Sequence, residues 1–134
     1  MRISHFVILV EDVDEALKFY TEKLVFVKQR DDTLWINLRW ATVSPKNQPD
    51  LQLTFALADD RQKNRAVGQQ TPNHPLMFLE TDDLQRDYNE LKARGVNVVT
   101  YPEEREWGLE VVFTDLYGNL FVLVQRPKEK AEKL

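Results

Sequence analysis

The sequence predicts an α+β fold made of two tandem βαβββ modules, and two observations carry that expectation. Short β-rich apolar runs surround one amphipathic helical stretch in each half of the chain. The pattern of the first half also returns about 70 positions later, as Asp12-Val13 against Asp83-Leu84 shows. A third observation sets the scale: 134 residues, 43% of them hydrophobic and 30% charged, suit one globular domain rather than a disordered or fibrous chain. The expected division is module one at 1–58, a linker at 59–73, module two at 74–127 and a charged tail at 128–134.

The elements follow in order. Met1 to Val10 carries Ile3 and the run Phe6 to Val10, apolar on both faces, and predicts the first strand. Asp12 followed by Glu15 resembles a capping box, and Val13, Ala16, Leu17, Tyr20 and Leu24 recur at helical spacing behind it. Strands are expected around Val25–Gln29, Leu34–Val43 and Leu51–Ala56, separated by Arg30-Asp31-Asp32 and by the Ser44 to Pro49 segment. The polar stretch from Asp59 to Asn73, with Gly68 and Pro72, reads as a long linker and a candidate flap. Pro75–Glu80 is strand-like, and Leu84, Tyr88 and Leu91 form a helical stripe behind Thr81, Asp82 and Asp83, with Gly95 as its stop. Val96–Val99, Leu109–Phe113 and Leu120–Val124 complete the second module. Asp115 to Asn119 reads as a hairpin turn in which Gly118 and Asn119 are able to take positive φ.

Composition excludes several functions. Eighteen basic against 22 acidic residues leave a formal charge of −4, the wrong sign for nucleic acid or an anionic membrane surface. No cysteine is present, so disulfides, thiolate metal centres and cysteine nucleophiles are ruled out. The N-terminal apolar run is too short to span a membrane and is followed by Glu11, Asp12, Asp14 and Glu15 rather than a cleavage site, so a cytoplasmic location is expected. The four glycines are dispersed and make no phosphate loop, and neither Ser4 nor Ser44 sits in a nucleophile elbow. The paired acids Asp82-Asp83 and Glu103-Glu104 read as a helix cap and a solvated loop. Tyr117 reads as an exposed turn residue.

Several short motifs share one order. His5-x4-Val10-x-Asp12, Phe19-Tyr20, Leu24-x-Phe26, Leu91-x3-Gly95-Val96, Trp107-Gly108 and Phe113-x-Asp115-x2-Gly118-Asn119-x3-Leu123 span nearly the whole chain. Together they resemble the vicinal-oxygen-chelate superfamily, which includes glyoxalase I, bleomycin- and fosfomycin-resistance proteins and extradiol dioxygenases. The resemblance implies a cupped mixed sheet around one small-molecule site, with metal ligands in metal-dependent members at positions matching His5, Gln52, Leu76 and Val122. Two of those four are aliphatic here, and Val122 stands where enzymatic members carry a glutamate. A divalent metal needs imidazole or deprotonated oxygen ligands, so the expectation is no resident metal. The alternative is a lyase- or dioxygenase-like enzyme that holds Zn, Ni, Mn or Fe with His5, Gln52 and His74; the other reading of His74 is a solvent-exposed strand mouth. A structural dimer module with a vestigial pocket is the third class.

The expected ligand is a small organic molecule, with His5, Trp35, Arg39, Trp40, Gln52, Thr54, Trp107 and Val122 as its binding residues. Gln52 and Thr54 alternate with Leu51, Leu53 and Phe55, which makes one face of that strand polar. Trp35, Arg39 and Trp40 cluster in the first half, and Tyr101, Trp107 and Glu110 in the second, so aromatic walls and the Arg39 guanidinium favour an aromatic anion or carbonyl compound. Sheet edges in a chain this small call for cover, and a homodimer is expected.

Overall fold

The computed structural model describes residues 1–34 and 38–127. The chain divides into two compact units, Met1–Gln70 and a second beginning at Thr71, each a βαβββ-like module with a four-stranded mixed sheet. The fold is α+β, as the repeat predicts. Trp35 and the tail at 128–134 lie outside the described residues.

In the first unit β1 (His5–Val10), β2 (Val27–Leu34), β3 (Leu38–Ser44) and β4 (Gln52–Leu57) form a sheet in the order β1-β4-β3-β2. The parallel β1–β4 pair sets His5 opposite Gln52, and the β2–β3 and β3–β4 pairs are antiparallel. Helix α1 (Val13–Glu22) starts where Asp12 accepts the Glu15 amide, which satisfies a donor left unpaired in the first turn. It lays Val13, Ala16, Leu17 and Tyr20 over Ile8, Val10, Ala41, Val43, Leu53 and Phe55, all buried. Tyr20 and Phe55 meet at 5.2 Å between ring centres.

The second unit repeats the plan with β5 (Met77–Glu80), α3 (Leu84–Ala93), β6 (Glu103–Arg105), β7 (Gly108–Thr114) and β8 (Leu120–Gln125), in the sheet order β5-β8-β7-β6. Asp83 caps α3 by accepting the Arg86 amide. Leu84, Tyr88 and Leu91 are buried, as are Val111, Phe113, Phe121 and Leu123.

Four local expectations are corrected. Strand β2 begins at Val27 and runs through Arg30-Asp31-Asp32, because Asp31 and Arg39 pair across β2 and β3 and make the charged stretch a viable strand. Val96–Val99 contributes only a bridge from Val98 to Phe113, and Glu103–Arg105 forms the edge strand instead. Within 59–73 a short helix, α2 (Arg61–Ala66), starts at Asp60, and Gln70 beyond it is tied to β1: its Oε1 accepts the Leu9 amide at 2.7 Å and its Nε2 donates to the Val7 carbonyl at 3.0 Å. In the β7–β8 turn Gly118 alone takes positive φ, +91°; the Asn119 side chain instead donates to the buried Asp115 carboxylate at 2.8 Å. Among the described residues no helix is long and apolar enough to cross a membrane.

Candidate functional site

Each sheet has one face under its helix and one open face, and the period of two along a strand assigns every side chain to one or the other. On the open face of the first unit, β1 and β4 place His5 beside Gln52 and Val7 beside Thr54, and Thr42 on β3 pairs with Thr54. The exposed His5 ring lies 5.3 Å from Trp40, and its Nδ1 is 3.0 Å from the Ser4 hydroxyl. Gln52 accepts the Thr42 hydroxyl at 2.8 Å and donates to the Pro49 carbonyl at 3.3 Å. Gln29, left out of register by a bulge in β2, donates to Ser44 at 3.0 Å. His5, Trp40, Gln52 and Thr54 are therefore brought together.

Arg39 is not among them. Next to Trp40 in the strand, it points to the opposite face, where its Nε and Nη2 each lie 3.0 Å from Asp31 and Nη2 is 2.7 Å from Asp14 on α1. Its hydrogen bond to Asp31, then that to Asp14, hold the guanidinium above its usual pKa, and the same bond lowers Asp31 below the ordinary carboxylate value against a smaller desolvation effect. This cation is committed to two carboxylates of its own unit.

The open face of the second unit is different in chemistry. It forms a groove of about 1080 Å³ lined by Phe78, Glu80, Trp107, Glu110, Val112, Val122, Val124 and Arg126, with Pro75, Leu79 and Glu106 completing it. Val122 and Val124 are buried and make the floor. Phe78 and Trp107 keep 67% and 51% of their surface exposed, a large apolar area for side chains inside a concavity. The Trp107 indole N–H donates to Glu110 Oε1 at 3.2 Å, and Arg126 Nη2 lies 2.9 Å from Glu80 Oε1. Gly108 makes this arrangement possible: its φ is +130°, and a Cβ there would lie 2.2 Å from the Gln125 carbonyl oxygen.

Of the residues expected from sequence, Trp107 and Val122 meet in this groove, and Glu110 joins them. Tyr101 is exposed and is not among the lining residues. His74 sits exposed in the turn before β5, where its backbone N–H donates to the Thr71 carbonyl. Phe78, Glu80, Val112, Val124 and Arg126 were not anticipated, although the alternation Phe78, Glu80 against Met77, Leu79 marks the same face. Leu76 and Val122 offer no metal donor, and no group of three His, Asp or Glu side chains among the described residues is placed to hold a metal ion. The residues present do not fit the four-ligand metal centre that the sequence resemblance implies.

Comparison with known proteins accounts for the architecture. The sequence pattern of the Glyoxalase/Bleomycin resistance protein/Dioxygenase superfamily matches residues 2–123. The chain belongs to that superfamily. A protein of Shewanella frigidimarina (strain NCIMB 400) is 38% identical over 125 residues, 92% of either chain. Among solved structures, UcmS2 is similar with a TM-score of 0.82 and 33% identity, covering 92% of this chain and 97% of its own. TnmS3, an antibiotic binding protein from Streptomyces sp. CB03234, gives a TM-score of 0.78 and 28% identity over 95% of this chain and 97% of its own. Superfamily membership accounts for the scaffold and does not by itself name a reaction or a ligand.

Proposed function

We propose that this superfamily member binds a small organic molecule in the groove of the second unit and does so without a resident metal. One observation carries the reading: Trp107 and Phe78 stand exposed over a valine floor, so a flat apolar ligand gains stacking and releases water from both rings. The likeness to TnmS3, described as an antibiotic binding protein, supports a binding role. The aliphatic Leu76 and Val122 support the absence of metal. We also propose a homodimer, because each four-stranded sheet has two edge strands within its unit.

Titration of the protein with planar aromatic compounds, followed by tryptophan fluorescence, tests the binding site. Trp107→Ala is expected to weaken a genuine ligand by about tenfold or more, from the loss of one stacking wall. A ligand that responds to Gln52→Leu but not to Trp107→Ala would move the site to the polar face of the first unit. Elemental analysis is expected to find no stoichiometric Zn, Ni, Mn or Fe; about one metal per chain, lost in His5→Ala, would establish the metal-dependent alternative instead. Light scattering is expected to give twice the chain mass of 15.8 kDa.

A further inference from the structure

We propose that the groove selects planar organic cations over anions, an inference that rests on the reading of the groove as a small-molecule site and names the class of its ligand. The register of the second sheet sets two rows across the open face. Phe78, Val122 and Val112 lie side by side on β5, β8 and β7, and Glu80, Val124 and Glu110 lie side by side in the next row. Neighbouring strands are about 4.8 Å apart, so two carboxylate-bearing positions stand about 10 Å apart across a valine. A fused-ring ligand bridges that span with its flat face on the floor.

The charges of the lining point one way. Among the residues that line the groove three are glutamates, Glu80, Glu106 and Glu110, and one is an arginine, Arg126, whose Nη2 is 2.9 Å from Glu80. Arg105, outside the lining, approaches Glu110 at 3.4 Å but pairs more closely with Glu103 at 2.7 Å. An anion at Arg126 would share that guanidinium with Glu80, and would then face Glu110 across an apolar surface that screens poorly. A cation meets carboxylates on both sides. Trp107 adds to the preference: its N–H is bound to the Glu110 carboxylate, which pushes electron density into the indole and strengthens the exposed ring face as a cation–π partner. The sequence expectation of an aromatic anion or carbonyl compound leans on Arg39, but that side chain points away from its own open face toward Asp14 and Asp31.

A matched pair of tricyclic probes tests the inference: 9-aminoacridine, a vinylogous amidine protonated at neutral pH, and an anthracene carboxylate of the same ring size. Binding is followed by calorimetry and by tryptophan quenching. The cation is expected to bind at least about tenfold more tightly and to weaken as salt rises. Glu110→Gln keeps an acceptor for the indole and should weaken the cation about three- to tenfold, Glu80→Gln should do the same while improving the anion, and Arg126→Gln should tighten the cation. Equal or tighter binding of the anion would overturn the cation preference and leave the groove as the site. Binding of neither probe, or binding unchanged by Trp107→Ala, would overturn both.

Discussion

The two units follow one chain path and put different chemistry on their open faces. In the first, Thr42 and Ser44 are fully buried, and the face is knitted by hydrogen bonds from Thr42 to Gln52 and from Gln29 to Ser44. In the second, the same face carries valines under two exposed aromatic rings. A polar face whose groups satisfy one another gains less from a ligand than an apolar face that stays hydrated until one arrives. The groove proposed as the site thus differs from its counterpart by its side chains and not by its topology. The helix ends differ as well. After α3, Gly95 takes φ +81° and the Val96 amide returns to the Leu91 carbonyl, a Schellman-type stop. After α1 the left-handed position, φ +59°, is held by Val25, a β-branched residue that this region disfavours.

The sharpest way to break the second unit is Gly108→Ala. The added methyl meets the Gln125 carbonyl in a backbone conformation already closed to alanine, so a loss of about 4 kcal/mol or more is expected in urea unfolding, with the groove's ligand binding lost alongside. Asp115→Ala should cost about 2 kcal/mol, since the buried carboxylate accepts the Tyr117 and Asn119 amides and the Asn119 side chain. Exchanging the helix stops sharpens the comparison itself. Gly95→Val should destabilise by about 2 kcal/mol and Val25→Asn should stabilise by about 1 kcal/mol, opposite signs at the left-handed residues that follow the two helices, one residue past the cap of α3 and two past the cap of α1, read as shifts in urea midpoint.

The smallest effect is expected from Arg39→Gln. Asp31 has a folded pKa below its unfolded value of about 3.9, so its stabilisation is present above that pH and is lost as pH falls through the folded value. The pair is partly exposed, and the variant should cost less than about 1 kcal/mol at neutral pH. That difference should close in acid unfolding curves below the carboxylate range, while ligand binding in the groove stays unchanged.

Much of the fold was legible because local signals agree with it. Asp12 and Asp83 both precede helical apolar stripes, and both cap as read. What sequence missed were elements whose stability is not local. Strand β6 is Glu-Glu-Arg, with no apolar alternation, and exists because β7 supplies its hydrogen bonds. Helix α2 buries no side chain and so leaves no stripe. The lining of the proposed groove is half legible: Val122 comes from the family resemblance and Trp107 and Glu110 from their clustering in the second half, while Phe78 is hidden in an apolar run that reads as core. Arg39 and Trp40 are neighbours in one strand and so point to opposite faces, a separation the period of two already encodes in the sequence.

Gln70 acts on the outer edge of β1 as if it were one more peptide group, receiving the Leu9 N–H and giving a proton to the Val7 carbonyl. The Leu9 amide therefore sits at a sheet edge and is still held by a side chain, so its exchange with deuterated solvent reports release of the segment after α2 rather than opening of the sheet. In Gln70→Ala that proton should exchange at the rate of an open edge, while the amides of β4 keep theirs.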